Sequence, residues 1–433
     1  MSDASSIQFR GSPYSGLVGA TLGFFAGFAA VALFGPMADR FQDAMGLDPT
    51  LVGLLIAMPS LSGSLLRIPF AAWVDTDGGR TPFLVLFALS LTGMAGLCAV
   101  IYLWYPDDLT FGFYPLVLVL GLLSGSGIAL FTVGVGQVSY WFPKDEQGWA
   151  LGTYAGVGNL APGLFTFVIP IALDSVGLAH SYLVWFLFLA AGALVYYFTG
   201  RNAWYFQAKD AGLTDDRARE LAERQGQELF PADSPLESIK SAARTWHTWP
   251  LVLLYFTTFG GFLALTSWLP TYCKSYLSSG GMLAGSVTGA FSILSSAIRV
   301  PGGSLADRFG GEKTALASLA CLLAGSVVAS LATGVIVAVV GLLIMAVSMG
   351  VNNAAVFKLV PEYCPEAVGG ASGWVGGLGA FGGFALPPVM GLFVTLQGDA
   401  GYANGFLTFA ALALVGIGLV LVLSSRSKGS DRP

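Results

Sequence analysis

The chain has 433 residues, of which 55% are hydrophobic and only 10% are charged, and its mean hydropathy is +0.72. A soluble domain carries about 25% charged residues, so a single soluble fold of this composition would expose enough apolar surface to aggregate. The formal net charge of −5 excludes little, because in a membrane protein the distribution of charge matters more than its sum.

The hydropathy pattern predicts an all-α polytopic membrane protein, since a transmembrane helix needs about 20 mainly apolar residues. In chain order the twelve predicted spans are 14–36, 51–74, 81–104, 112–138, 148–174, 180–200, 248–270, 281–305, 313–333, 335–360, 366–396 and 402–424. The boundary between the ninth and tenth spans rests on Gly334, which is the only turn signal there.

The spans divide into two six-helix bundles, residues 1–200 and 248–433, separated by a polar stretch at 201–247. Within this stretch Thr214 precedes charged residues at helical spacing, which predicts a short amphipathic helix. The stretch is interpreted as a solvated linker between the two halves. A regulatory or partner-binding role is the alternative.

The distribution of basic residues predicts the orientation. With the N-terminus inside, the inside segments hold 15 of the 20 Lys and Arg residues, whereas the outside segments hold only Arg40 and Lys274. Because cytoplasmic loops carry the excess of Lys and Arg, both termini are expected to be cytoplasmic. The predicted location is the inner membrane, with multiple passes.

The distribution of reactive and metal-binding side chains predicts that the protein is not an enzyme. The four cysteines show no CxxC spacing and no His partner, so neither a zinc site nor a disulfide framework is expected. The two histidines lie near span ends and no carboxylate lies deep in a span, so an intramembrane enzyme lacks its nucleophile, base or metal ligands. We expect no cofactor, no metal, no nucleic-acid partner and a monomer in the lipid bilayer.

The two halves repeat each other. The pattern R-[IV]-P-x5-D-x2-G-G occurs at 67–79 and again at 299–311, an offset of 232 residues, and each copy ends the second span of its half. Internal duplication of six spans is the signature of transporters whose halves rock around a central site.

The loop segments that begin at Asp75 and Asp307 resemble the cytoplasmic loop motif of the major facilitator superfamily. The second copy, with Arg308, is the better match, and the first departs from it with an alanine for the leading Gly and Thr76 for the Arg. The resemblance implies alternating access, in which Asp75, Asp307 and Arg308 take part in conformational gating.

Two arginines are predicted near the middle of the membrane. Arg67 and Arg299 each lie eight residues before the loop aspartate, about 12 Å from the end of the span in a core about 30 Å thick. Each is followed two residues later by a proline, Pro69 or Pro301, that can bend the helix.

A cation at that depth costs about 2.5–3.5 kcal/mol, and no carboxylate lies deep in a span to neutralise it. A packing role, or snorkelling to a headgroup, is the alternative and would require the same coincidence in both halves. We therefore predict that the counter-ion is an anionic substrate. The planar, permanently charged guanidinium suits a planar oxyanion.

Glycines cluster in the fifth and eleventh spans at spacings of three and four, so that helix backbones can approach and slide. Gly156 and Gly158 in the fifth span, and Gly376 and Gly379 in the eleventh, are predicted to act in conformational gating. Packing alone is the alternative for most of these glycines. Asn159 differs, because an amide on a face of small residues must hydrogen-bond a partner.

These two glycine-rich spans resemble the paired signature helices of the nitrate/nitrite porter (NarK-type) family. The resemblance implies that the substrate is nitrate or nitrite and that Arg67 and Arg299 bind it. It also implies substrate contacts for Phe131, Tyr255 and Asn159, although packing is the commoner role for the two aromatic residues taken alone. Cyanate or a short carboxylate stays open as a substrate.

Energy coupling has two interpretations at this level. Exchange of nitrate for nitrite needs only that the site crosses the membrane when occupied. Proton-linked nitrate import, the interpretation that we put first, needs a titrating group, and Lys358 is the candidate. The alternative is that Lys358 snorkels to the cytoplasmic surface. A carrier for sugars or drugs is excluded by the lack of acidic cavity residues, and the two-half repeat disfavours an anion channel.

Overall fold

The computed structural model describes residues 8–143, 146–231, 235–364 and 368–430. Within these residues, 11 helical runs are long and apolar enough to cross a membrane. One of them, Trp149–Thr199, has 51 residues, which as a straight helix is about 77 Å, more than twice the hydrocarbon thickness. Its backbone breaks at Gly177, where φ is 74° and ψ is 178°, so the run contains two spans. The described chain therefore has twelve spans, in agreement with the prediction.

Most spans of the first half are interrupted helices. The helices of this half are Pro13–Phe28 and Ala38–Met45 (span 1), Pro49–Leu65 and Arg67–Asp77 (span 2), Arg80–Trp104 (span 3), Tyr114–Ser124 and Leu130–Trp141 (span 4), Gln147–Gly158 with Leu160–Thr199 as far as Gly177 (span 5), and the rest of that helix (span 6). Short 3-10 turns join the pieces of spans 1 and 4. Asp48 starts span 2 by accepting hydrogen bonds from the backbone N–H groups of Thr50 and Leu51.

The second half repeats this plan. Its helices are Thr248–Tyr255 and Gly261–Ser275 (span 7), Gly281–Ala297 and Arg299–Phe309 (span 8), Gly311–Ser330 (span 9), Val335–Tyr363 (span 10), Val368–Ala380 and Gly382–Gln397 (span 11), and Asp399–Asn404 with Leu407–Ser430 (span 12). Gly334 begins span 10 in an extended conformation, with φ −162° and ψ 167°, so the boundary lies where the sequence predicts it.

Spans 2 and 8 are interrupted at equivalent residues. Leu66 has φ −67° and ψ −17°, and Ile298 has φ −67° and ψ −13°. Each of these residues directly precedes an intramembrane arginine, and Pro69 and Pro301 follow within the next turn. A proline cannot donate to the carbonyl four residues earlier, which explains why the helix is interrupted at this place in both halves.

The segment between the halves contains three short helices, Trp204–Asp210, Asp215–Arg224 and Pro235–Arg244, of which the second begins directly after Thr214. Asn202 donates a hydrogen bond to the carbonyl of Asp77 in the first half, at 3.0 Å. Trp374 of span 11 donates to the carbonyl of Ile239, at 2.9 Å. The segment is thus attached to both halves.

We name the membrane face that carries this segment the linker side, and the other face the opposite side. Because each half has an even number of spans, both ends of the described chain lie on the linker side. Lys144 and Arg432, which the count of basic residues includes, lie outside the described residues.

Candidate functional site

Two arginines from different halves approach the same aromatic ring. The guanidinium carbon of Arg67 lies 5.2 Å from the ring centroid of Phe259, and that of Arg299 lies 5.5 Å from it. Arg67 also lies 5.0 Å from the centroid of Phe131. The structure therefore brings both predicted arginines and the predicted Phe131 into one cluster, around a phenylalanine of span 7.

Arg67 is fully buried and only partly satisfied. Its Nε donates to the carbonyl of Gly63 and its Nη1 to the carbonyl of Gly376 in span 11, each at 3.0 Å. Its Nη2 has no hydrogen-bond partner among the described residues, and no carboxylate of those residues lies within 4.0 Å of the guanidinium. A buried cation with a free donor is costly unless an anion compensates it.

Arg299 is half-buried and faces Tyr255. Its Nη2 donates to the Tyr255 hydroxyl at 3.4 Å, a long hydrogen bond. The fully buried Tyr255 ring is stacked on Phe259, with centroids 4.8 Å apart, and packs edge-on against Phe357 at 5.1 Å. The phenol is therefore held rigidly, and its hydroxyl lies beside the second guanidinium.

A π turn at Phe256–Gly260 places Phe259 between the two arginines. Thr258 donates to the side-chain oxygen of Asn353 in span 10, at 2.8 Å. A Cβ atom on Gly260 would lie 2.6 Å from the carbonyl oxygen of Gly379 in span 11. Such single π turns are frequent at functional sites. Phe259 is not among the predicted site residues, although its position four residues after Tyr255 is a spacing that places two side chains on one helix face.

Phe131 is held in place by a tyrosine of span 5. The Tyr154 hydroxyl is 2.7 Å from the Leu130 carbonyl oxygen and 3.2 Å from that of Phe131, and it donates to them where the 3-10 turn of span 4 ends. A Cβ atom on Gly134 would lie 2.0 Å from that hydroxyl oxygen, so only glycine permits the approach. Tyr154 therefore fixes the backbone that presents the Phe131 ring.

Asn159 lies at a contact between the halves. It separates the two helices of span 5, and its side chain is 2% exposed. Its backbone carbonyl accepts a hydrogen bond from the Ser296 hydroxyl of span 8 at 3.3 Å, whereas its Oδ1 has no partner among the described residues. The amide is thus one more buried polar group without a full set of partners.

The four glycines predicted for gating have two different surroundings. A Cβ atom on Gly156 or Gly376 would have no neighbour within 4 Å, and Gly376 is buried, so it borders an internal space beside the carbonyl that Arg67 binds. A Cβ atom on Gly158 would lie 1.9 Å from the Phe24 ring. One on Gly379 would lie 2.6 Å from the Tyr255 ring. The latter two glycines make room for aromatic rings.

On the opposite side the halves are in close contact. A Cβ atom on Gly53 of span 2 would lie 2.6 Å from the carbonyl oxygen of Pro387 in span 11. One on Gly391 of span 11 would lie 2.3 Å from the carbonyl oxygen of Pro49 in span 2. These are backbone contacts between different halves, so the path between spans 2 and 11 is sealed on this side.

The loop residues predicted for gating bind within their own halves. Asp75 accepts a hydrogen bond from the Tyr140 hydroxyl at 2.6 Å, and Asp307 accepts one from Lys358 at 2.9 Å. Each acidic residue thereby links the second span of its half to the fourth. Arg308 is exposed, and its guanidinium lies 5.2 Å from the centroid of the Phe309 ring.

Lys358 lies at the linker-side end of span 10. Besides Asp307, its ammonium group has Glu362 at 3.8 Å, and its side chain is 32% exposed. Asp307 is eight residues from Arg299, about 12 Å along the helix axis. Lys358 is therefore in an ion pair near the membrane surface, as expected of a snorkelling lysine.

A model of the Major Facilitator Superfamily matches residues 20–387 and, in a second match, residues 276–433. The chain belongs to the Major Facilitator Superfamily. It is 28% identical to "Probable nitrate transporter NarT" of Staphylococcus epidermidis, over 91% of this chain and 93% of that protein. It is 30% identical to "Probable nitrate/nitrite antiporter NarK1" of Thermus thermophilus, over 91% and 87%.

The fold is also similar to that of a solved structure of another transporter. The partially occluded, inward-open xylose transporter XylE of E. coli aligns with a TM-score of 0.72, over 94% of this chain and 96% of that one, at 13% identity. At that identity the similarity shows the fold alone. The predicted resemblance to the superfamily and to its nitrate/nitrite porters is confirmed, and the chain is a membrane transporter and not an enzyme.

Proposed function

We propose that this protein carries nitrate and nitrite across the inner membrane by alternating access. The observation that carries the proposal is the buried Arg67 guanidinium, which has a free Nη2 donor and no carboxylate partner among the described residues. Arg299 approaches the same Phe259 ring from the other half. An anion bound between the two cations relieves their repulsion and compensates the buried charge.

The surroundings suit a flat, weakly hydrated, monovalent anion. Aromatic faces replace part of its hydration shell, and the guanidinium N–H groups that remain free donate to its oxygens. Phosphate or sulfate carries about twice the charge, and usually meets more donors than this site offers. The names of the similar relatives support nitrate and nitrite. The residues proposed to bind the anion are Arg67, Arg299, Phe131, Phe259, Tyr255 and Asn159.

The path is sealed on the opposite side, so in this conformation the anion can reach the site only from the linker side. The excess of Lys and Arg there supports a cytoplasmic linker side. The glycine contacts between spans 2 and 11 must break when the path opens toward the opposite side. We propose that a monomer completes this cycle by rocking one half against the other.

Exchange of nitrate for nitrite is the coupling that this geometry supports best. Arginine stays protonated at any relevant pH, so the site holds the anion without titrating. An empty site with two unpaired cations resists closure, which favours crossing only when an anion is bound. Proton-linked import through Lys358 is the second candidate, although the ion pair with Asp307 lies about two helical turns from Arg299.

Uptake into proteoliposomes tests the proposal. Labelled nitrate uptake is measured with and without internal nitrite, and with and without an inward proton gradient. Acceleration by internal nitrite alone is expected and supports exchange, whereas acceleration by the proton gradient alone supports proton-linked import. The substrate proposal is wrong if nitrate flux is absent under every condition.

The Lys358→Met variant separates the two coupling modes. If Lys358 acts through its ion pair, the variant lowers the uptake rate by a few fold and leaves the shape of its pH profile unchanged. An exposed ion pair contributes little, so its loss is expected to change the rate only a few fold. The measurement is the initial rate of nitrate uptake between pH 5.5 and 8.5. A pH profile that flattens in the variant would instead establish Lys358 as the proton-coupling residue.

The Phe259→Leu variant tests the shared aromatic ring. Leucine keeps an apolar side chain in the π turn and removes the ring face that both guanidiniums approach. A cation–π contact in a desolvated site contributes up to about 2 kcal/mol, so we expect KM for nitrate to rise about 10- to 30-fold. The matched control is Phe262→Leu, since that ring packs against Phe259 and Phe291 and contacts neither arginine. Equal effects of the two substitutions would contradict the role of Phe259.

A further inference from the structure

A charged cavity lies on the opposite side, far from the central arginines. Its volume is about 280 Å³, and its charged lining residues are Asp39, Arg40, Asp174 and Lys274. The first three residues belong to spans 1 and 5 of the first half, and Lys274 belongs to span 7 of the second. The cavity is thus formed between the two halves, at the face where the path is sealed.

Lys274 links the two halves across this cavity. Its ammonium group donates to both carboxylate oxygens of Asp39, each at 3.1 Å, and to the carbonyl of Pro36 at 2.8 Å. Of the ion pairs among the described residues, this one alone joins the first half to the second. The Lys274 side chain is 20% exposed and that of Asp39 is 43% exposed, so solutes on this side reach the pair.

The pair lies above the seal. Seven residues deeper in span 7, about 10 Å along the helix axis, the Ser267 hydroxyl donates to the carbonyl of Val31 in span 1, at 2.8 Å. Any opening toward the opposite side separates these spans, and it must therefore break the bond between Lys274 and Asp39. Lys274 then loses its counter-ion at the mouth of the open path.

The positive charges of this face are concentrated here. Arg40 and Lys274 are the only two Lys or Arg residues that the topology places on the opposite side, and both line this cavity. Arg40 is exposed and makes no ion pair with the described residues. When Asp39 is released, two cations face solvent, and an anion can satisfy them.

We propose that the Asp39 carboxylate occupies the position of an arriving anion on Lys274, and that Lys274 and Arg40 form an outer anion-binding site at the mouth of the path. An external oxyanion such as nitrate replaces Asp39, which releases the link between the halves and favours opening toward its own side. A carboxylate and nitrate both present a pair of oxygens in one plane, so one replaces the other on the ammonium group without a change of geometry. The identity of the anion rests on the proposed function.

The decisive experiment measures KM for external nitrate in right-side-out membrane vesicles loaded with nitrite. Asp39→Asn removes the competing carboxylate and keeps both cations, so KM is expected to fall about threefold to fivefold. Lys274→Met removes a cation of the site, so KM is expected to rise by a similar factor. These factors correspond to the strength of partly exposed ion pairs. If the ion pair only links the two halves and binds no anion, either substitution breaks the link, and KM shifts in the same direction in both variants.

Opening is measured separately, without nitrate. The reporter is Ser292→Cys, because Ser292 is fully buried and a Cβ atom on Gly163 of the other half would lie 3.1 Å from its Cβ. The four native cysteines are replaced by alanine, and a membrane-impermeant maleimide is added on the opposite side. Asp39→Asn and Lys274→Met are both expected to accelerate alkylation about threefold to fivefold, since each breaks the link.

Two further variants of the cavity are matched controls. Asp174→Asn makes the same change of charge as Asp39→Asn without breaking the link, and Arg40→Gln makes the same change as Lys274→Met. Neither is expected to change the alkylation rate, whereas Arg40→Gln is expected to raise KM. The outer site is refuted if Asp39→Asn and Lys274→Met shift KM in the same direction. If the unmodified protein carries no nitrate, the proposed function fails, and the alkylation rates still decide whether the pair links the halves.

Discussion

Replacing Arg67 with lysine is expected to lower kcat/KM for nitrate at least 100-fold, although the positive charge is kept. The guanidinium uses Nε and Nη1 on the carbonyls of Gly63 and Gly376, which leaves Nη2 for the anion. A lysine ammonium reaches neither carbonyl in the same geometry and offers no planar fork. Loss of hydrogen bonds to a charged group in a desolvated site costs about 3 kcal/mol, or about 100-fold. The measurement is nitrate uptake into proteoliposomes at matched protein density.

Arg80 is a matched control for this substitution. Its guanidinium also donates to two carbonyls, those of Gly200 and Tyr197, and also lies over an aromatic ring, at 5.3 Å from the Tyr197 centroid. It lies on the linker side, outside the cluster of two arginines. Arg80→Lys is expected to leave nitrate uptake within about twofold of the unmodified protein. Equal losses in the two variants would show that Arg67 acts through packing and not through the anion.

The positions of the two arginines within spans 2 and 8 could be predicted from the sequence because a charge in an apolar span is costly and therefore rare. The 12 spans follow from the length that an apolar helix needs, and the repeat gave Arg67 and Arg299 the same position in each half. The interruptions at Leu66 and Ile298 also have a local cause, since a proline follows each of them. These features depend on short stretches of chain, so the sequence contains enough to locate them.

The remaining parts of the cluster depend on contacts between distant spans. Phe259 reaches both guanidiniums because a π turn, stabilised by Asn353 of span 10, rotates it between them. Tyr154 acts on Phe131 through a hydrogen bond from span 5 to span 4. The spacing of Tyr255 and Phe259 places both on one face of span 7, but no local pattern encodes the partners in the other spans. The ion pair of Lys358 with Asp307 joins spans 10 and 8 in the same way, and for that reason the sequence left two roles open for Lys358.

A methyl group at Gly391 is expected to shift the protein strongly toward the conformation that is open to the opposite side. A Cβ atom on Gly391 would lie 2.3 Å from the Pro49 carbonyl oxygen and 3.0 Å from the Thr50 Cα. Both are backbone atoms, which cannot move aside as the end of a flexible side chain can. Overpacking of this kind costs about 1–3 kcal/mol in the sealed conformation, which changes the ratio of the two conformations about 5- to 150-fold. The expected result of Gly391→Ala is faster alkylation of Ser292→Cys from the opposite side, together with slower nitrate exchange.

Gly373 supplies the comparison within the same span, because a Cβ atom there has no neighbour within 4 Å. Gly373→Ala therefore adds the same methyl group to span 11, with the same gain in helix propensity, and is expected to change neither alkylation nor exchange. Gly53→Ala should act in the same direction as Gly391→Ala, since its Cβ atom would lie 2.6 Å from the Pro387 carbonyl oxygen. If Gly391→Ala leaves the alkylation rate unchanged, spans 2 and 11 accommodate the methyl group without separating. The seal would then depend on spans 5 and 8.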